Sequence, residues 1–323
     1  KDGQYLAIKI NGTAGDTSHR GTDVLLRRLS DGLTQNIGNV YQYAFDSTGK
    51  SLAYTVDAPN KLGNGLYALK PATGETRVLD SSAMEYFAER GFDTWCMDME
   101  GYGRSTKDRG TEAFIWEGAD DLSAGSEYIM KLRNSGPFMV YGISSGALRA
   151  AMFAERHPER VSRLALDAFV WTGEGSPTLA ERSKKLPQWL ASNRRKIDHA
   201  FVQSIFTRDH GGGAEQSVID AYAEAILALD DSVPTGTYVD MCSKLPVIDP
   251  AKLQAAVLIM RGQFDGIAST EDLLDFFARL PNPDKTFAVM PGIAHNSTKQ
   301  INYRISYHIL HSFFTQPEPI YRG

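Results

Sequence analysis

The sequence predicts an α/β fold, a mainly parallel sheet with helices on both faces, preceded by a segment built from β-strands alone. Three observations carry this. From Met84 onward, short apolar runs alternate with amphipathic helical stretches, the pattern of consecutive strand–helix units. Before about residue 80 the chain shows strand-like runs punctuated by turn residues. Between Phe138 and Ala154, an apolar strand passes through a glycine-flanked serine directly into a helical stretch.

The first region reads as strands over Gln4–Ile10, Asp23–Leu29, Val40–Phe45, Ser51–Val56, Leu66–Leu69 and Thr76–Leu79. Turn signals separate them, such as Asp46-Ser47-Thr48-Gly49 and Ala72-Thr73-Gly74. Asp2-Gly3-Gln4-Tyr5-Leu6-Ala7 also matches Thr48-Gly49-Lys50-Ser51-Leu52-Ala53. A repeat in the forties suits a four-stranded propeller blade. Residues 1–82 in this respect resemble the propeller blades that precede the catalytic domain of prolyl-oligopeptidase-type serine peptidases. They supply fewer than two blades, too few to close a propeller of typically four to eight. The other reading is an irregular β-rich appendage.

From residue 83 to 323 the expected order is regular. A helix over Met84–Arg90 precedes a buried strand over Phe92–Met99, which places Cys96 in the core. Then come a helix over Ala119–Leu132, a strand over Phe138–Tyr141, a helix over Ser145–His157 and a strand over Arg163–Ala168. Strands over Ala256–Met260 and Thr286–Met290 follow, and a helix over Asn296–Thr315 closes the chain, with Ile301, Ile305, Ile309 and Phe313 on one face. The stretch at about 172–250 breaks the alternation. It reads as amphipathic helices over Leu179–Arg195, Asp198–Thr207 and Glu215–Leu229, placed where a cap over a site would sit.

Composition narrows the function. The 323 residues carry a net charge of −5 and no basic stripe, which gives no basis for nucleic-acid binding. No apolar run reaches membrane-spanning length. The two cysteines, Cys96 and Cys242, form no C-x-x-C pair, and no H-E-x-x-H helix is present, so no metal site is expected. The start at Lys1-Asp2-Gly3 is neither an intact start nor a signal peptide, which leaves the compartment open, and oligomeric state is not legible.

The chemistry concentrates in three places. Gly142-Ile143-Ser144-Ser145-Gly146 matches G-x-S-x-G in its required strand-to-helix setting. Small flanking residues let the backbone fold back so that the Ser144 hydroxyl projects from the sheet edge as a nucleophile. The following helix offers its N-terminal amides to a developing oxyanion, with the Ser145 N–H as one donor. A serine hydroxyl needs a base. Of seven histidines, His295, just after the last strand, belongs at the carboxyl ends of the strands with Ser144. Asp265, after the strand Val257–Met260, supplies the acid that orients the imidazole, with Asp167 as its rival.

These residues resemble the α/β-hydrolase superfamily over about 84–320. The elbow Gly142–Gly146, the segment Asp98-Met99-Glu100-Gly101-Tyr102-Gly103-Arg104-Ser105, the run His157-Pro158-Glu159-Arg160-Val161, Arg261–Asp265 and His295 fall in family order. The resemblance implies a hydrolase of a carboxylic ester or related acyl bond, working through an acyl-enzyme on Ser144 under a helical cap, with a small-molecule substrate and no cofactor. It departs from the family in one respect. The family's earlier strands, with a His-Gly-type loop that gives a second oxyanion donor, have no counterpart here. His19-Arg20-Gly21 does not sit in that setting. The β-rich segment stands where those strands would be, and its strands are available to pair onto the open sheet edge. Three functions stay open: an esterase-like hydrolase, a prolyl-oligopeptidase-type peptidase, and a chimeric module impaired in its oxyanion hole. Trp171 and Trp189 are candidates for an apolar acyl pocket, with core packing as the alternative.

Overall fold

A computed structural model describes residues 3–10, 19–46, 48–58, 65–80 and 83–320. Asp2 of the first repeat copy and Ser47 of the predicted turn lie outside these residues. Contacts divide the chain into two compact units. One comprises residues 1–96 with 216–221, the other 97–215 with 222–323.

Among the described residues the first unit holds six strands: β1 (Tyr5–Lys9), β2 (Thr22–Arg28), β3 (Thr34–Phe45), β4 (Leu52–Val56), β5 (Gly65–Lys70) and β6 (Glu75–Asp80), followed by the short helix α1 (Ala83–Ala88). They form one antiparallel sheet in the order β1-β2-β3-β4-β5-β6. Alternation, the signature of a strand with one covered face, puts Val24, Leu26, Ile37, Val40, Leu52, Tyr54 and Leu69 into a single cluster. Tyr54 stacks on its cross-strand partner Tyr67, with ring centroids 5.3 Å apart. All six predicted strands are present, but as one continuous meander and not as separate four-stranded blades. The repeat is not equivalent in structure either. Leu52 is fully buried, whereas its match Leu6 is 47% exposed. The two copies therefore turn opposite faces toward the cluster.

The second unit carries the alternating pattern. Its elements are α2 (Ile115–Arg133), β7 (Phe138–Ile143), α3 (Ser145–Arg156), β8 (Val161–Asp167), α4 (Pro177–Ser183), α5 (Leu186–Leu190), β9 (Arg194–Lys196), α6 (His199–Thr207), α7 (Gln216–Leu227, shared with the first unit), β10 (Ser232–Pro234), α8 (Gly236–Ser243), β11 (Ala256–Gly262), α9 (Thr270–Arg279), β12 (Lys285–Met290) and α10 (Tyr303–Thr315). A four-stranded sheet runs β12-β11-β8-β7, parallel throughout. This is the α/β-hydrolase arrangement of parallel sheet and helices. The central strands β8 and β11 are buried along almost their whole length, as expected for strands covered on both faces. The core joins Leu164 and Leu166 of β8 to Val257 and Ile259 of β11 and to Ala147, Leu148, Ala151 and Phe153 of α3.

Four expectations are corrected. Phe92–Met99 is not a strand: no ladder includes it, Trp95 and Met97 are 40% and 39% exposed, and Cys96 is exposed, not buried. An apolar run becomes a parallel strand only where a neighbouring strand takes its amides and carbonyls. Among the described residues the β-rich strands do not extend the parallel sheet: β7 pairs with β8, and the antiparallel strands form a sheet of their own. The last helix begins at Tyr303, and its buried residues are Ser306, Tyr307, Leu310, Phe313 and Phe314, so Ile301 lies outside it, 54% exposed. The cap region is broken more finely than predicted, with β9 and β10 forming a two-stranded antiparallel pair. Both cysteines are free thiols. No helix of the described residues is long and apolar enough to cross a membrane.

Candidate active site

The carboxyl ends of the four parallel strands bring the predicted residues together. Strand β7 ends at Ile143 and α3 starts at Ser145, so Ser144 must make the whole turn. It does so at φ 55° and ψ −123°, a strained setting for a residue with a Cβ. The Ser144 N–H donates to the Asp167 carbonyl at 2.8 Å and its carbonyl accepts from the Ala147 N–H at 2.9 Å, which hold the turn. Gly142 is required by close packing: a Cβ there would stand 2.3 Å from the Gly146 carbonyl oxygen. Gly146 is different, since a Cβ there would meet nothing within 4 Å.

Asp265 and His295 occupy two loops tied to each other. The Gln263 N–H donates to the Met290 carbonyl at 3.0 Å and the Phe264 N–H to the Ile293 carbonyl at 2.9 Å. Gly262 permits this approach, because a Cβ would lie 2.5 Å from the Ala294 carbonyl oxygen. The Arg261 guanidinium braces the acid loop through the carbonyls of Gly262, Gln263, Asp265 and Ala268. The result is an unbroken chain of hydrogen bonds. His295 Nδ1–H donates to Asp265 Oδ1 at 2.9 Å, which leaves Nε2 to accept from the Ser144 hydroxyl at 2.8 Å. Asp265 is 2% exposed and His295 5%. Burial opposes ionisation of Asp265, but His295, the Ile267 N–H and the Arg208 guanidinium together hold its carboxyl below the usual carboxylate range.

The rival acid does something else. Asp167 is fully buried, and its Oδ2 accepts from Tyr141 Oη at 2.8 Å and from Ser297 Oγ, while Oδ1 has no partner. Burial pushes this carboxyl up to about 7, against the two hydrogen bonds that favour its charge. Asp167 thus links the elbow strand to the His295 loop and leaves the imidazole to Asp265. The Ser145 N–H, at the first position of α3, has no backbone acceptor among the described residues. Two amides of the Asp98–Ser105 segment at the cavity are already engaged: Tyr102 donates to the Met99 carbonyl and Gly103 to Asp230.

The serine and histidine open onto a cavity of about 440 Å³, within the usual range for small-molecule sites. Cap residues Phe201, Val202, Ile205 and Tyr238 supply much of its wall, with Arg182, Arg195 and Arg208 among them. Neither tryptophan lines it. Trp171 is a core residue whose Nε1–H donates to the Ile248 carbonyl at 3.1 Å, and Trp189 packs edge-on against Tyr238. Asp209, Asp265 and His295 place potential ligand atoms within 4.8 Å of one another, but both imidazole nitrogens are already taken by Asp265 and Ser144.

The family model described as serine aminopeptidase, S33, matches residues 74–300, well over half the chain. The chain belongs to this family. The fold of this serine aminopeptidase family member is also seen in solved structures. A monoacylglycerol lipase from Paleococcus ferrophilus superposes with a TM-score of 0.53 at 18% identity, covering 72% of this chain and 88% of the lipase. An E-2-(acetamidomethylene)succinate hydrolase gives 0.53 at 19% identity, covering 73% and 87%. MGS-M2, an alpha/beta hydrolase enzyme from a Medee basin deep-sea metagenome library, gives 0.51 at 14% identity, covering 76% and 88%. At such identities these likenesses speak for the fold alone. No curated protein matches the chain.

Sequence reasoning gave no role to the three cap arginines or to Arg261, and did not join Tyr141, Asp167 and Ser297 into a cluster. Arginines on a helical stretch read as a solvated face, and only the folded cap turns them inward. Tyr141 and Asp167 lie on the adjacent strands β7 and β8, two positions apart in register, so their meeting was legible once β7 and β8 were placed side by side.

Proposed function

We propose that the chain is a serine hydrolase that cleaves a carboxylic ester or related acyl bond through an acyl-enzyme on Ser144. The observation that carries this is the chain Ser144–His295–Asp265, with contacts of 2.8 and 2.9 Å. His295 Nε2 takes the Ser144 proton as the hydroxyl attacks the acyl carbon. Asp265 holds the tautomer and stabilises the imidazolium that forms. The Ser145 N–H receives the developing oxyanion, and the position of Ser145 at the head of a 12-residue helix adds the helix dipole. His295 then returns the proton to the leaving alcohol, and water resolves the acyl-enzyme by the same route.

The family description supports a second reading, a peptidase. In the same proposal, residues 1–82 form a β-rich segment and residues 83–323 a hydrolase domain with its cap at about 172–250. A panel of p-nitrophenyl esters and peptide anilides, assayed beside Ser144→Ala, tests the function. Ester turnover lost in the variant supports the first reading and anilide turnover the second. Failure of both, with no fluorophosphonate labelling of Ser144, would leave an impaired module.

A further inference from the structure

We propose that the cap wall of the cavity is an anion subsite, and that the substrate is an ester whose remote end carries a carboxylate seated among Arg182, Arg195 and Arg208. This rests on the hydrolase reading of the same site. All three arginines line the cavity that Ser144 and His295 open onto. They come from separate elements, α4, β9 and the end of α6, so their convergence is made by the cap fold and not by one run of sequence.

Their partners are unusual for arginines. Arg182 and Arg195 stack on the same Tyr238 ring, with guanidinium carbons 4.5 and 4.0 Å from its centroid. Arg195 also lies 4.5 Å from the Phe201 ring centroid. Among the described residues neither has a carboxylate within ion-pair distance. Arg208 has one, with Nε 3.4 Å from Asp209 Oδ2, but its Nε and Nη2 are buried without a hydrogen bond, as is Nε of Arg195. Burial and the nearby Arg182 charge both disfavour the cationic forms of Arg195 and Arg208, yet arginine stays charged. Arg208 also faces Asp265, whose carboxyl it helps to hold down, but the acids on the cavity wall do not answer Arg182 and Arg195. Asp230 is paired with Lys107 at 2.6 Å and with the Gly103 N–H. Asp98 accepts from the Arg104 N–H, and its carboxylate is 4.0 Å from that residue's guanidinium.

Buried donors without acceptors and cations without counterions are costly unless something that binds there supplies the missing charge. A carboxylate fits a guanidinium fork by geometry as well as by charge. The walls nearby, with Val202, Ile205 and Phe201, suit an aliphatic stem between that carboxylate and the scissile carbonyl. The same three cations repel the free ammonium group of an aminopeptidase substrate.

The test uses the full chain and three p-nitrophenyl esters matched in length: the monoester of glutaric acid, its methyl-capped neutral counterpart, and a 4-trimethylammonio-butyrate ester. The expected kcat/KM for the carboxylate ester exceeds that for the neutral one by about 10-fold or more, the scale of one charge-assisted hydrogen bond, with the cationic ester last. Arg195→Met and Arg182→Gln each bring the ratio toward one, and Arg195→Glu reverses the order. Calorimetry of monomethyl glutarate with Ser144→Ala supplies a readout that needs no turnover. Binding that weakens in the arginine variants supports the subsite even if no ester is hydrolysed, an outcome that would sink only the hydrolase reading. Ester turnover without charge preference, with no arginine-dependent binding, overturns the subsite and leaves the hydrolase standing.

Discussion

The two sheets of this chain are built from opposite kinds of contact. In the antiparallel sheet each strand pairs with its neighbour in sequence, so turns alone set most of the register. In the parallel sheet β8 ends at Asp167 and its partner β11 begins at Ala256, with the entire cap between them. The first sheet is assembled from local signals and the second from distant ones. The difference also sorts function. A meander can fold with little long-range information, whereas Ser144, Asp265 and His295 meet only because parallel strands point their carboxyl ends to one rim.

Four outcomes would break or sharpen this contrast. Ser144→Ala should lower kcat toward p-nitrophenyl esters by about 10⁴-fold or more and abolish fluorophosphonate labelling, with thermal unfolding preserved. Retained turnover would remove the elbow from the chemistry. Leu52→Ala, in the cluster of the antiparallel sheet, should destabilise that unit by about 2–5 kcal/mol while kcat per folded molecule is unchanged. A parallel loss of kcat would show that the two units do not act separately. Gly142→Ala should lower stability by about 1–3 kcal/mol through overpacking. Gly146→Ala, with open space around it, should raise stability by up to about 1 kcal/mol. Urea titrations of the pair read the difference.

The last outcome is a slope against pH and concerns Asp167. Burial raises its folded pKa to about 7 from the ordinary carboxylate value of 3.8, so between these values the folded state binds more protons than the unfolded chain. Its contribution to stability is therefore complete below about pH 4 and is lost as pH rises through about 7, at no more than about 1.4 kcal/mol per pH unit. Asp265 is shifted downward, and its contribution disappears only as pH falls through its folded pKa, below that window. Denaturant melts of Asp167→Asn should show a flatter pH dependence between pH 4 and 7 than the parent. An unchanged slope would assign the effect to other groups.

Much of the molecule was legible from residue order. All six strands of the first sheet, the four paired strands of the second and the three residues of the hydrogen-bonded chain follow from periodicity, glycine placement and the strand–turn–helix setting of Ser144. Phe92–Met99 failed because its apolar composition describes a strand's side chains and says nothing of whether another strand is present to pair with it. Leu6 and Leu52 match in sequence, yet one is 47% exposed and the other buried, because alternation sets two faces without saying which is covered.

Local chemistry along the chain was enough to specify the turn at Ser144, to single out His295 and two rival carboxylates, and to divide the chain into a β-only segment and an alternating one. Packing alone determined that Asp265 and not Asp167 reaches His295. It also determined that three arginines from separate elements turn into one cavity and that the first sheet is a continuous meander. The reason is common to all three: hydrogen bonds and charges act over a few ångströms in space, and for residues dozens of positions apart that separation exists only once the backbone has closed.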